Sequence, residues 1–526
     1  MRVSIILFGA FFLFTSYHLD AQTNNGTNRY EQIIRLIRES YVDSVNIDSI
    51  VGQMTTAYLN EPATIDLILK KLDPHTRYLR REEYGQLHQS LAGNIQGVGI
   101  EFDIVNDTIL VTRVITGGPA FKSGVQNGDK IIKINDSPAT GNQISFISVA
   151  ERLRGAKGTL VNVSIQRNGN SKSTKLEMVR DKIPLKSVGY SYMYNKQTGY
   201  ILINNFAETT AAEIKEALTR LNSLGMKKLI LDLRDNLGGL LDAAIQVADE
   251  FLSSKQLIVY TVGRKDPRTN YFANHPGLFE TGPMVLLINE STGSAAEVLS
   301  AALQDNNRAT VVGKRSYGKG LVQNLFLLND SVTALKLTTA RYYTPQGRCI
   351  QRSYSQGVDA YLNEYTSTVM NDGVLPDSLK RNRKIDWGVE PDIIVAGDTS
   401  REENLFKQID YSYYIQGFAH AYYSNNISKV ASFKTAGNFC KHFFDDDSIF
   451  EKFRIYVVAQ ENSLPAGTDK LLFTNADFNG IRSKVETNMK AILVREYWGD
   501  DGYYSLVNSN DPYLVVAVQS FKLRHE

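Results

Sequence analysis

Between Gly199 and Gln304 the sequence alternates short apolar runs with longer stretches of helical period, and this alternation limits the possible folds more than any other feature. Tyr200–Ile203, Leu229–Leu233 and Met284–Ile288 have the length and composition of strands. Ala211–Leu224, Leu240–Leu252 and Ala295–Gln304 carry their apolar residues at helical spacing. Strands and helices in strict turn require crossover connections, so the segment reads as an α/β layer.

The flanks differ in texture. Ile33, Ile34, Ile37 and Tyr41 repeat at helical spacing, as do Ile65, Leu67, Ile68 and Leu72, giving a helical region from Tyr30 to about Ser90. Asp73-Pro74-His75-Thr76 interrupts it, because proline cannot continue a helix. From Gly93 to Val179 short β-rich runs such as Ile109–Val111, Lys130–Ile134 and Val161–Ile165 are separated by turn signals, Asn127-Gly128-Asp129 and Asn168-Gly169 among them. One helix is expected there, over Ser145–Arg154. The stretch beyond Asp398 is rich in aromatic residues and mostly helical by period.

A chain of 526 residues exceeds one ordinary domain, and three or four units are expected. A formal net charge of +2 gives no reason to expect nucleic acid or an acidic membrane surface as partner. Arg2, the apolar run Ile5–Phe14 and the small residue Ala21 have the order of an export signal over residues 1–21, with an apolar core too short to span a bilayer. An uncleaved anchor is the other reading of the same residues. An exported protein, periplasmic or secreted, with no stable membrane span is expected. Cys349 and Cys440, far apart in sequence, read as independent thiols, and the seven histidines show no metal-ligand spacing. No metal and no cofactor are expected.

Three segments carry candidate chemistry. Met284–Ile288 runs through Asn289-Glu290-Ser291-Thr292-Gly293 to Ser294, where a helix begins. A serine at a strand–turn–helix corner suits a nucleophile, since helix N-terminal N–H groups can stabilise an oxyanion. Ser294-Ala295-Ala296-Glu297 is equally a capping-box pattern, and on this segment alone the cap is the better reading. In Ser316-Tyr317-Gly318-Lys319-Gly320, a lysine between two glycines precedes an apolar run. Delivered inward, it would lose its proton readily and could act as a general base; left outside, it is a solvated loop residue. Gln323 could orient its amine, but in a straight strand the two would sit roughly 13 Å apart, so that role needs a bend. Finally, the apolar Leu231–Leu233 run leads to Gly238-Gly239, a turn that fits close backbone approach either to a substrate or to a neighbouring helix.

Taken in order, these segments resemble the C-terminal processing peptidases, or tail-specific proteases, over about residues 30–395. The resemblance also rests on Asp73-Pro74-His75-Thr76-Arg77-Tyr78-Leu79, Gly97-Val98-Gly99-Ile100, Leu153-Arg154-Gly155, Gly199-Tyr200-Ile201 and Leu231-Asp232-Leu233-Arg234. It continues through Leu303-Gln304-Asp305, Arg308-Ala309, Tyr343-Thr344-Pro345 with Gly347, and Glu390-Pro391-Asp392. It implies a Ser–Lys dyad of Ser294 and Lys319 assisted by Gln323, at separations of 25 and 4 residues. Oxyanion donors would be the N–H of Ala295 and one from Gly238-Gly239. The β region resembles a PDZ domain, whose Gly97, Val98, Gly99 and Ile100 would bind a peptide's terminal carboxylate, with β-augmentation along the following strand. Thr292 and Ala296 stand where relatives often have serines, neither at the nucleophile position.

The implied protein is an exported serine endopeptidase acting on proteins or peptides with free apolar C-termini, homo-oligomerisation being left open. Its fold class is an α/β protease core with an inserted β-rich PDZ domain, a helical N-terminal region and a mostly helical C-terminal extension. The expected domains are residues 28–92 (helical), 93–180 (PDZ), 181–398 (peptidase core) and 399–526 (extension). The alternatives are a non-catalytic PDZ scaffold on a protease-like core and a Ser–His-type hydrolase using His275. Loss of Ser294 or Lys319 would have pointed to the scaffold, and both are present.

Overall fold

A computed structural model of the chain describes residues 29–523 apart from 53–61, 106, 142–143, 168–171, 266, 371–386, 398–399, 444–447, 465–467, 469 and 472. The export signal expected over residues 1–21 and the Asn168-Gly169 turn lie outside the described residues. The described residues divide into two compact units, one drawn from 94–185 with 400–511, the other from 29–93 with 186–397 and 512–523. The stretch read as a single C-terminal extension is thus split, its last helix belonging with the α/β layer.

That layer is a six-stranded sheet in the order Val188–Met193, Thr198–Ile203, Lys228–Asp232, Met284–Ile288, Thr310–Gly313, Ile393–Ile394. Its first pair is antiparallel and the rest are parallel. The central strands, Met284–Ile288 above all, are largely apolar because both faces are covered. Ile201, Leu229, Leu231, Leu286 and Ile288 pack on the helices Thr210–Ser223, Leu241–Asp249 and Ala295–Asp305. Their alternating neighbours Tyr200, Ile230, Val285, Leu287 and Val312 share the other core with Leu514, Ala517 and Phe521 of the helix Pro512–Leu523. Positions 514, 517 and 521 make one helical stripe. Burying a side chain such as Leu514 or Phe521 is worth roughly 1.5–3 kcal/mol, so this helix matters to the sheet.

A second, antiparallel sheet is built around the long strand Ala334–Tyr343. Leu321–Leu327 pairs along one edge, while Leu257–Gly263 and the short strand Arg77–Leu79 share the other. The strand Arg77–Leu79 falls within the region read as helical, and places the preceding Asp73–Thr76 turn beside Thr338. Ile33, Ile37, Ile65 and Ile68 of the N-terminal helices pack with Tyr78, Leu335 and Leu337.

In the other unit a β-rich domain has the strand order Ile100–Val105, Thr108–Val114, Lys130–Ile134, Leu160–Gln166, Thr174–Val179, with the helix Phe146–Leu153 contributing Val149 and Leu153 to its core. Asn94–Gly97 pairs with Asp181–Pro184 where the chain enters and leaves. The helices between Arg401 and Val507 build an aromatic core of their own around Phe418, Phe439, Phe453 and Phe478. They join the β-rich domain through Arg113–Asp500 (3.1 Å) and Asn127 Nδ2 donating to the Glu496 carbonyl (3.3 Å). Cys349 and Cys440 are unpaired. Among the described residues no helix is long and apolar enough to cross a membrane.

Candidate active site

The fully buried strand Met284–Ile288 delivers the chain to a turn pinned from both sides. Thr292 Oγ1 donates to the Leu233 carbonyl (2.8 Å) and the Gly293 N–H to that of Asn236 (2.9 Å), tying the turn to the loop after Lys228–Asp232. On the other side the Tyr317 N–H donates to the Thr292 carbonyl (2.9 Å). Ser294 follows at φ 55° and ψ −119°. An N-cap residue sits in the extended region, so this backbone is not that of a cap, and a non-glycine residue held there is strained. The Glu297 half of the capping box does form, its Oε2 accepting the Ser294 N–H at 2.8 Å.

Glu297 does more than cap. It is fully buried, and the same carboxylate accepts the Lys319 N–H (2.8 Å), the Gly318 N–H (2.6 Å) and the Ser316 hydroxyl (2.5 Å). The hydrogen bonds it accepts favour the ionised form, and burial opposes them, pushing its pKa upward. Ser294 and Lys319 are thereby held on one carboxylate. The Tyr342 hydroxyl lies between the carbonyls of Ser294 (3.1 Å) and Lys319, and its single proton can be donated to either.

The Lys319 side chain is inside, 2% exposed, and its Nζ has no hydrogen-bond partner among the described residues. Burial lowers its pKa to about 8, against the opposing pull of the Asp73 and Glu297 carboxylates. The glycines flanking it serve a close approach. A Cβ at Gly320 would lie 2.8 Å from the Gln351 nitrogen, and one at Gly318 2.7 Å from the Trp387 ring. The bend that Gln323 needs comes from elsewhere: the register against Ala334–Tyr343 shifts between Val322 and Gln323. Such a bulge re-aims the side chain beyond it. Gln323 is buried, with Nε2 3.3 Å from Thr338 Oγ1 and Oε1 unpartnered among the described residues.

Gly238 lies against the serine. A Cβ there would sit 2.8 Å from Ser294 Cβ and 2.9 Å from the Ala295 nitrogen, and its φ of +103° disfavours any side chain. Its N–H already donates to Asn236 Oδ1 at 2.8 Å. Gly239 turns away, its Cβ position 2.0 Å from the Phe206 carbonyl oxygen, where the loop bridges to Phe206.

The structure also gathers residues that sequence reasoning passed over. His75 and Asp73, read as part of a helix break and of a family motif but given no role, are buried, and both act electrostatically on or with Lys319. His75 Nε2 bonds to the Tyr361 hydroxyl at 3.3 Å, and burial holds the ring neutral. His275 is not part of this cluster; its Nε2 pairs with Asp249 at 3.1 Å. Lys336, on Ala334–Tyr343, is a second buried lysine whose pKa burial and Lys319 both push down. Beyond its place in the capping-box pattern, the local signal for Glu297 was a carboxylate on a helix otherwise made of Ala, Val, Leu and Ser from Ala295 to Leu303. No group of three His, Cys, Asp or Glu side chains among the described residues is placed to hold a metal ion.

In the β-rich domain Gly97 ends one strand and Ile100 opens the next, leaving Val98 and Gly99 as the connection. The Val98 carbonyl accepts from Ala120 N–H (2.8 Å) and that of Gly99 from Ile115 N–H (3.0 Å), which fixes the connection from within. Gly99 has φ +78°. Ile100–Val105 is the end strand of its sheet, and Phe102 stacks on Phe146 of the facing helix, ring centroids 4.5 Å apart.

Peptidase family S41 matches residues 197–360 and the PDZ domain family residues 97–178. The carboxy-terminal-processing protease of Bartonella bacilliformis is 36% identical over 366 residues, covering 67% of this chain and 80% of that protein. The probable CtpA-like serine protease of Staphylococcus aureus strain MRSA252 is 32% identical over 354 residues, covering 67% of each chain. Among solved structures, the photosystem II D1 C-terminal processing protease aligns with a TM-score of 0.40 and 27% identity, covering 70% of this chain and 92% of that one.

Glu297 gives a test independent of activity. In Glu297→Gln the amide NH2 faces donors whichever way it turns, leaving at least one buried N–H unsatisfied at about 1–3 kcal/mol. Thermal unfolding at neutral pH should show the midpoint fall by several degrees. An unchanged midpoint would contradict the four-donor assignment.

Proposed function

This chain belongs to the carboxy-terminal-processing serine proteases, and from that premise we propose that Ser294 is its nucleophile and Lys319 the general base. The observation that carries the reading is the buried Lys319 amine, unpartnered among the described residues, on a residue whose backbone N–H is held by the same carboxylate as the strained Ser294 corner. Neutral Lys319 takes the Ser294 hydroxyl proton as Oγ attacks the scissile carbonyl; the ammonium then protonates the departing amine, leaving an acyl-enzyme. Water, deprotonated by the same lysine, attacks the ester and releases the acyl group and the serine. The Ala295 N–H, at a helix N-terminus, is the oxyanion donor. With its own N–H committed to Asn236, Gly238 serves the hole chiefly by having no side chain to fill it, and Gly239 serves the turn. Gln323 orients the lysine.

Ser294→Ala and Lys319→Ala should each lower kcat/KM for a peptide with a free apolar C-terminus by about a thousand-fold or more while the protein stays folded. Lys319→Arg should be equally inactive, because a guanidinium does not lose its proton. The base works deprotonated, so wild-type kcat/KM should climb with pH and level off above about 8. Activity of a folded Lys319→Arg protein would end the proposal.

The PDZ domain is proposed to select substrates by their C-terminus, with the backbone of Gly97–Ile100 receiving the carboxylate and Ile100–Val105 taking the peptide as an added strand. A charge-assisted hydrogen bond is worth roughly 1.5–3 kcal/mol. Amidating the peptide should therefore weaken its binding to the full Ser294→Ala chain about 10- to 100-fold. Equal affinity of free-acid and amidated peptides would remove C-terminal recognition and leave the hydrolase standing.

Residues 1–21 are proposed to export the protein, to the periplasm or beyond. N-terminal sequencing of protein from its host should begin near Gln22, and an intact N-terminus in the cytosol would refute export.

A further inference from the structure

We propose that the Asp73–Thr76 turn is the positioning arm of the catalytic lysine: acting through Thr76 and Thr338, it fixes the sense of the Gln323 amide so that Oε1 is left to accept from Lys319. The inference rests on Lys319 being the general base, and adds Asp73, Thr76 and Thr338 to the residues that make it one.

The argument follows the direction of each hydrogen bond. Asp73 is 2% exposed, and its Oδ1 accepts the N–H groups of His75 (2.8 Å) and Thr76 (2.9 Å). Its Oδ2 lies 2.5 Å from Thr76 Oγ1. An ionised carboxylate only accepts, so the single Thr76 hydroxyl proton points at Asp73. Thr76 Oγ1 can then only accept from its remaining neighbours, the Thr338 N–H (3.1 Å) and the Thr338 hydroxyl (3.3 Å). With its proton directed to Thr76, Thr338 Oγ1 presents lone pairs to Gln323, 3.3 Å away, and calls for a donor. The amide must turn Nε2 toward Thr338. Among the described residues Oε1 is left buried without a partner, and so is Lys319 Nζ. A sequence of four side chains thus converts one fixed negative charge into one fixed amide orientation.

Asp73 acts on the lysine in a second way, by charge. The ionisable groups that act on or with the Lys319 amine are Asp73 and His75 of the turn, Glu297 of the helix after Ser294, and Lys336 of Ala334–Tyr343, with the Tyr342 hydroxyl at the Lys319 backbone carbonyl. The two carboxylates favour the ammonium. The buried His75 and Lys336 are pushed toward their neutral forms, and Tyr342 also remains neutral because burial raises its pKa.

The test is the pH profile of peptide cleavage by folded full-length variants. Thr76→Val and Thr338→Val should lower kcat about 10- to 100-fold with little change in KM, while Thr338→Ser, which keeps the hydroxyl, recovers most of it. Asp73→Asn removes a negative charge beside the lysine and should move the acidic limb of kcat/KM to lower pH by about one unit. Gln323→Glu, of the same size, should move that limb the other way. This variant also decides the matter if a threonine variant fails to fold, because an unmoved limb means that Oε1 does not face the lysine. Wild-type kcat in folded Thr76→Val, or an unmoved limb in Asp73→Asn, would overturn the inference. Inactive Lys319→Arg alongside those results would confine the failure to the arm; active Lys319→Arg would instead remove the base reading on which it rests.

Discussion

The Glu297 carboxylate is the constraint on which the site depends. It gathers the N–H of Ser294, the N–H groups of Gly318 and Lys319 and the Ser316 hydroxyl in a dry interior. A carboxylate alone in such a place would be neutralised or expelled; the four groups bonded to it offset that cost. The same bonds set the loop of Lys319 against the corner of Ser294, two segments that leave different strands and share no other element. Around that anchor the molecule adds bracing, with Tyr342 between the two carbonyls and Thr292 and Gly293 tied to the loop that carries Gly238.

Burial gives this arrangement its chemistry. An exposed lysine at neutral pH is an ammonium and useless as a base, whereas desolvation brings Lys319 to about 8. The opposing carboxylates keep the shift from running further, since a lysine too easily deprotonated would be too weak a base to take a serine proton. The buried neighbours Lys336 and His75 are both pushed toward their neutral forms. The site is therefore a balance between desolvation and two nearby negative charges.

Much of the α/β layer was legible because its signal is local. Apolar runs at Leu229–Leu233 and Met284–Ile288 and the helical period after Ser294 need only neighbouring residues to be read. Tail-specific proteases were recognisable from ordered short motifs, although each segment alone admitted a bland reading. What stayed hidden depends on contacts distant in sequence. Arg77–Leu79 is three residues long and becomes a strand only by pairing with Ala334–Lys336. The bend at Gln323 is a bulge against a partner strand, not a property of the adjacent glycines. Asp73 and Thr76 looked like a helix stop because their partner Thr338 lies 262 residues from Thr76. Leu514, Ala517 and Phe521 formed an ordinary helical stripe, with nothing local to say that it covers the sheet.

The central claim is that folding alone makes Lys319 a base near neutrality. Its most direct measurement is NMR titration of the Lys319 side chain, with isotope-labelled lysine in the full Ser294→Ala chain and Lys319→Arg to assign the resonance. The account predicts a midpoint of about 8. A midpoint near 10.5, the ordinary value for a solvated lysine, would contradict it.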